Sequence, residues 1–156
     1  MPGSESVVAE GPWAGSTLSE LIGRFGAELL GKANYARFGQ EFPLLVKFID
    51  AREDLSIQVH PDDELARKRH GKSGKCEMWY VLEAEPGASL LTGFSRPIAP
   101  AEYERRVADN TLTDVLNRQA IASGDVFYLP AGRVHSIGKG SFIVEIQQSS
   151  DIPYRI

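Results

Sequence analysis

The stretch Gln58-Val59-His60-Pro61-Asp62-Asp63 constrains this chain more than any other, because it closes the apolar run 42–57 with two metal-ligand types in extended register. Successive side chains of a strand alternate faces, so Gln58 and His60 project the same way from Cα atoms ~6.6 Å apart. Pro61 brings no amide donor to continue a ladder, and the side-chain oxygen of Asp62 suits a helix cap. The pair is therefore expected at a strand end. Two later stretches offer partners. Lys75-Cys76-Glu77-Met78-Trp79-Tyr80 opens a strand-like run with a carboxylate, and 124–135 reads as a short strand, a turn through Pro130 and Gly132, and then His135. Zinc takes imidazole nitrogen and carboxylate oxygen, and catalytic sites use about three protein ligands with one position open. One amide, two imidazoles and one carboxylate fit that chemistry. Taken singly, His60 reads as a hydrogen-bonded structural histidine and Glu77 as a surface acid; only the combination points to a metal.

Composition narrows the partners. The net charge of −4 argues against nucleic acid or an anionic membrane, both of which are held chiefly by clustered Lys and Arg. Cys76 is the only cysteine, so no internal disulfide can form, which suits a reducing cytoplasm. No apolar run approaches the ~20 residues of a membrane helix, and residues 1–6 lack the basic and apolar regions of a signal peptide. A soluble, cytoplasmic, single-domain protein is expected.

Along the chain, residues 1–16 read as an irregular lead-in rich in Gly, Pro and Ser, followed by one domain over 17–156. Thr17 and Glu20 have capping-box spacing, and Leu18, Leu21, Ile22, Phe25 and Leu29 recur at helical spacing, which predicts a helix over 17–30 closed by Gly31. Residues 43–51 and 55–60 read as buried strands. A helix over 62–70 follows, acidic at its start and basic at its end, with His70 as an exposed cap. Residues 77–84 and 88–94 read as a hairpin turning at 85–87. Helices are expected at 100–108 and 111–118, the second with Thr111 and Asp114 at capping-box spacing, and strands at 125–129, 141–148 and near Tyr154. On 141–148, Ile143, Glu145 and Gln147 share one face. Lys47, between Val46 and Phe48, must meet water, an acid or an anionic ligand, because an unpaired buried ammonium is costly.

The spacing of Gly124, Pro130, Gly132 and His135 resembles the second motif of the cupin superfamily. The first cupin motif is altered: Gln58 stands in its His-x-His pair, and sixteen residues separate His60 from Glu77, which implies an inserted helix. Within cupins, the segments 42–51, 55–63, 75–80, 131–138 and 147–155 resemble type I mannose-6-phosphate isomerases. That resemblance implies a mainly β fold with added helices, a cupin double-stranded β-helix or jelly-roll-like barrel. It implies one zinc ion per chain on Gln58, His60, Glu77 and His135. It implies interconversion of mannose 6-phosphate and fructose 6-phosphate, with Arg155, Glu145, Lys75 and Asp151 at catalytic positions and Lys47 and Ser56 on the substrate phosphate. For Glu145 a salt bridge to Arg155 or Lys47 stands beside a catalytic role. Relative to that family the chain is expected to be a catalytic core, shorter at both ends, with strand edges open to self-association. Two other readings remain: a non-catalytic module binding metal and sugar phosphate, and a different cupin metalloenzyme.

Overall fold

The computed structural model describes residues 5–156; the first four residues of the expected lead-in lie outside them. Two compact units divide the chain, Met1–Leu44 and Leu45–Ile156, and the boundary drawn from the sequence at residue 16 falls inside the first.

In the first unit, Val7 bridges Thr17, and Thr17 and Glu20 form a reciprocal capping box at the start of α1, Leu18–Phe25. The helix expected through residue 30 is interrupted. Gly26 adopts φ 48°, a conformation costly for residues with a Cβ, and α2, Ala27–Leu30, starts afresh behind it. A further helix, α3 at Lys32–Phe38, was not anticipated. Its sequence lacks a side-chain cap and has no buried residue to give it an apolar stripe.

The second unit contains two antiparallel sheets. The first has the order β1-β8-β3-β6, with β1 at Leu44–Ala51, β8 at Ser141–Gln148, β3 at Glu77–Ala84 and β6 at Val126–Leu129. The second has the order β5-β4-β7-β2-β9, with β5 at Leu116–Ala120, β4 at Ser89–Phe94, β7 at His135–Ile137, β2 at Gln58–Val59 and β9 at Tyr154–Arg155. Trp79, Val81, Leu90, Leu129, Ile137 and Ile143 form a core cluster drawn from both sheets. This is the expected mainly β cupin architecture, with α4 (Asp63–His70) and α5 (Pro100–Ala108) added to it.

Four expectations need correction. The strand at 43–51 is not buried: β1 is a sheet edge covered on one face, so Leu45, Lys47 and Ile49 turn inward while Val46 and Phe48 are exposed, Phe48 at 70%. The strand at 55–60 shortens to two residues before Pro61, although Leu55 N–H still donates to Ile137 O. The pair 77–84 and 88–94 is not a hairpin. The turn forms, with Ala88 N–H donating to Glu85 O, but it carries the chain from one sheet to the other, where β4 pairs with β5 and β7. The helix expected over 111–118 is a single 3-10 turn at Leu112–Val115, and Thr111 makes no side-chain cap. Pairing along β4 takes the remainder as strand, in the register Leu91↔Arg118 and Phe94↔Leu116. That pairing buries Leu112, Val115 and Leu116 against Leu91 and Val134, and tertiary packing outweighs a local cap signal.

Candidate metal centre

Three buried residues converge at one end of the sandwich. His60 follows β2, Glu77 opens β3 and His135 opens β7, and none is more than 3% exposed. The inserted helix brings the distant carboxylate back to the histidine. Asp62 caps α4 by accepting from Leu65 N–H at 2.8 Å, and Gly71 ends it in the left-handed conformation. Lys75 N–H then donates to Pro61 O at 3.0 Å, and Gly74 N–H to Asp63 Oδ1 at 2.8 Å. The cupin-like turn supplies the other link: Gly132, at φ 82°, donates its N–H to His60 O at 2.8 Å.

The donor atoms of His60, Glu77 and His135 lie within 4.8 Å of one another. His135 Nε2 is 3.2 Å from Glu77 Oε1, and His60 Nε2 is 3.4 Å from Glu77 Oε2. Each ring turns its other nitrogen to a backbone carbonyl: His135 Nδ1 to Arg133 O at 2.7 Å and His60 Nδ1 to Ile152 O at 3.3 Å. A carbonyl can only accept, so Nδ1 of each ring carries a proton and Nε2 is the nitrogen presented inward to a metal. Both Glu77 oxygens and His135 Nε2 are buried, with the Lys75 ammonium 2.7 Å from Glu77 Oε2. A buried carboxylate and two imidazole Nε2 atoms turned to one point are a donor set that a divalent cation fits. Burial opposes ionisation of Glu77, but contacts with His135, His60 and Lys75 outweigh it and hold the carboxyl well below the usual carboxylate range.

Sheet register places the other expected residues. Gln58 is the direct cross-strand partner of both His135 and Arg155, so the three share one face across β7, β2 and β9. Lys75 is buried, its Nζ 2.7 Å from Glu77 Oε2, 3.2 Å from His60 Nε2 and 3.7 Å from Glu145 Oε1. Glu145 Oε1 accepts from Lys47 at 2.8 Å and Oε2 from Trp79 Nε1 at 3.2 Å. Of the two salt bridges weighed for Glu145, the one to Lys47 forms. Asp151 is exposed and pairs with Lys72 at 2.9 Å, which holds its carboxyl below the ordinary value. Ser56 is exposed. His70 is exposed as expected, its Nε2 2.7 Å from the Tyr154 hydroxyl.

Three contributors were not assigned roles from the sequence. Trp79 is fully buried and sets its ring edge against His135 at 5.4 Å between centroids. Gly74 permits the close pass of chain over the start of α4. Gln147 lies opposite Glu77 in register. Strand alternation placed Trp79 on the face of Glu77 and Gln147 on that of Glu145; Gly74 carries no comparable signal, since its need arises from a contact distant in sequence.

A double sheet that gathers two histidines and a carboxylate where they could hold a metal ion has the architecture of a cupin. A model of the phosphomannose isomerase type I catalytic domain matches residues 1–95. The mannose-6-phosphate isomerase of Streptococcus mutans is 39% identical over 155 residues, 99% of this chain and 47% of its own. Mannose-6-phosphate isomerase ManA of Bacillus subtilis is 39% identical over 153 residues, 97% of this chain and 47% of its own. The crystal structure of mannose 6-phosphate isomerase from Bacillus subtilis matches with a TM-score of 0.86 at 36% identity, over 99% of this chain and 48% of that one. The chain belongs to the type I phosphomannose isomerase family, and it spans about half the length of the curated relatives it matches.

Proposed function

We propose that this chain carries the core of a zinc-dependent isomerase that interconverts mannose 6-phosphate and fructose 6-phosphate through an enediol. The observation that carries the reading is the buried cluster of His60, Glu77 and His135, with its donor atoms within 4.8 Å of one another, in a chain of this family. These three residues would hold one zinc ion, with Gln58, beside His135 in register, as the fourth ligand. When bound, the ion supplies a Lewis acid that stabilises charge developing on a substrate oxygen as a proton moves between adjacent carbons.

The protein groups divide the remaining work. Lys75 and Glu145 lie beside the cluster and are the groups proposed to carry the proton. Arg155, on the face of Gln58, offers a planar fork of donors to polarise and hold the reacting end, and a guanidinium of this kind is a donor and not a base. Asp151, paired with Lys72 at the surface, is assigned its catalytic position by the family resemblance alone. Lys47 and Ser56 are assigned to the phosphate. The Lys47 side chain is 42% exposed, while its Nζ donates to Glu145 and Gln147. We place the protein in the cytoplasm; among the described residues no helix is long and apolar enough to cross a membrane. β1 and β6, the outer strands of the four-stranded sheet, are the edges through which self-association would occur.

A coupled assay that detects fructose 6-phosphate formed from mannose 6-phosphate tests this reading, with the zinc-reconstituted chain compared with its chelated form. Turnover that chelation abolishes is the expected result. A folded, zinc-loaded chain without turnover would overturn the catalytic reading in favour of a module that binds metal and sugar phosphate. Oxygen uptake with bound iron would instead indicate another cupin enzyme.

A further inference from the structure

Gln147 is 1% exposed and uses its whole side-chain amide. Its Oε1 accepts from Lys47 Nζ at 2.5 Å, and its Nε2 donates to Gln148 O at 2.9 Å and Ser150 O at 2.8 Å. The orientation is fixed chemically, since the reverse would set an NH2 against an ammonium and an oxygen against two carbonyls. The turn held in this way touches both sides of the metal cluster. On one side, Ser150 Oγ donates to Ser73 O, Cys76 N–H to Gln148 Oε1 and Gln148 N–H to Cys76 O. Those contacts fix 73–76, the segment that delivers Lys75 and Glu77. On the other side, the chain leaving the turn presents Ile152 O to His60 Nδ1 at 3.3 Å, then Arg155 beside Gln58.

We infer that Gln147 is a positioning residue for the metal centre: its amide holds the 148–150 turn so that Glu77 and His60 are aimed together. The inference rests on the metal reading above and goes beyond it, because Gln147 has no atom among the ligands. Groups that orient metal ligands from outside the coordination sphere are typically worth 10–100-fold in affinity or activity. The two ends of the amide can be cut separately. Gln147→Glu keeps an acceptor for Lys47 but replaces the donor to the turn with an oxygen facing two carbonyls. Gln147→Leu removes both ends.

Cobalt(II), whose visible spectrum reports ligand geometry, is titrated into wild type and both variants in competition with a chelator, with folding followed by circular dichroism. Both variants are expected to bind cobalt roughly tenfold more weakly and with an altered spectrum, Gln147→Glu included even though it keeps Lys47. A lowered melting temperature with wild-type affinity and spectrum would mean that Gln147 only supports the fold, and would overturn the inference. The same holds if only Gln147→Leu is impaired, since the turn end would then carry no weight. Should Gln147→Leu fail to fold, the near-isosteric Gln147→Glu decides alone. A folded wild type that takes up no cobalt would overturn the metal reading itself, and this inference with it.

Discussion

A single hydrogen atom on Gly74 lets the Glu77 carboxylate reach the histidines. A Cβ there would lie 2.4 Å from Asp62 C and 2.5 Å from Asp63 N, and backbone cannot yield as a flexible side chain can. Gly74→Ala is therefore expected to cost about 1–3 kcal/mol, the range of overpacked sites, seen as a lower denaturation midpoint together with weakened metal binding. Lys47→Met tests a different residue-scale balance. Breaking a fully buried ion pair costs about 3–5 kcal/mol, but the Lys47 side chain is 42% exposed, so a loss nearer the ~1 kcal/mol of surface pairs is expected. The proposed phosphate role adds a higher KM for the phosphorylated sugar with metal content unchanged; loss of metal would assign Lys47 to the structure of the site instead. The sequence already showed the four proposed ligand residues, because strand alternation and motif spacing are local. It left open which acid partners Lys47, since Glu145 meets it across a separation of 98 residues.

Local signals at element ends held where the chain caps itself and failed where another strand claims the segment. The box at Thr17 and the cap at Asp62 form as their spacing implies, and Asp62→Ala is expected to destabilise the chain by about 0.5–2 kcal/mol, measured by denaturant unfolding. The similar spacing at Thr111 and Asp114 yields only a 3-10 turn, because 116–120 pairs with β4. The turn at 85–87 was legible, but not that its two strands belong to different sheets, which depends on partners far along the chain. Helix α5 offers a pH test. Glu102 is held to about 2, against an ordinary 4.5, by Arg96 and then Arg106, which outweigh slight desolvation. A carboxylate with a depressed folded value stabilises fully above its unfolded pKa, so its contribution is present above about pH 4.5 and fades as pH falls through about 2. Amide shifts of 101–108 followed by NMR should titrate as pH falls toward about 2, and Glu102→Gln should remove the response; an unchanged titration in the variant would contradict the assignment.

At the scale of the whole molecule, the second unit packs two sheets around one core and draws its proposed metal ligands from both: Gln58 and His135 from the five-stranded sheet, His60 just beyond its strand β2, and Glu77 from the four-stranded one. The fold class was legible through the resemblance of the Gly124, Pro130, Gly132 and His135 spacing to the second cupin motif, with which the alternation along 141–148 agrees. The division at residue 44 was not, since it lies in the grouping of contacts and not in any change of composition. Metal content tests the central claim most directly. Zinc per chain would be measured after dialysis for the wild type, His135→Ala and Glu77→Gln, with folding confirmed for each. One zinc in the wild type and none held by either variant is the predicted result. A folded wild type without zinc, or variants that retain it in full, would contradict the assignment of His60, Glu77 and His135 as the metal centre.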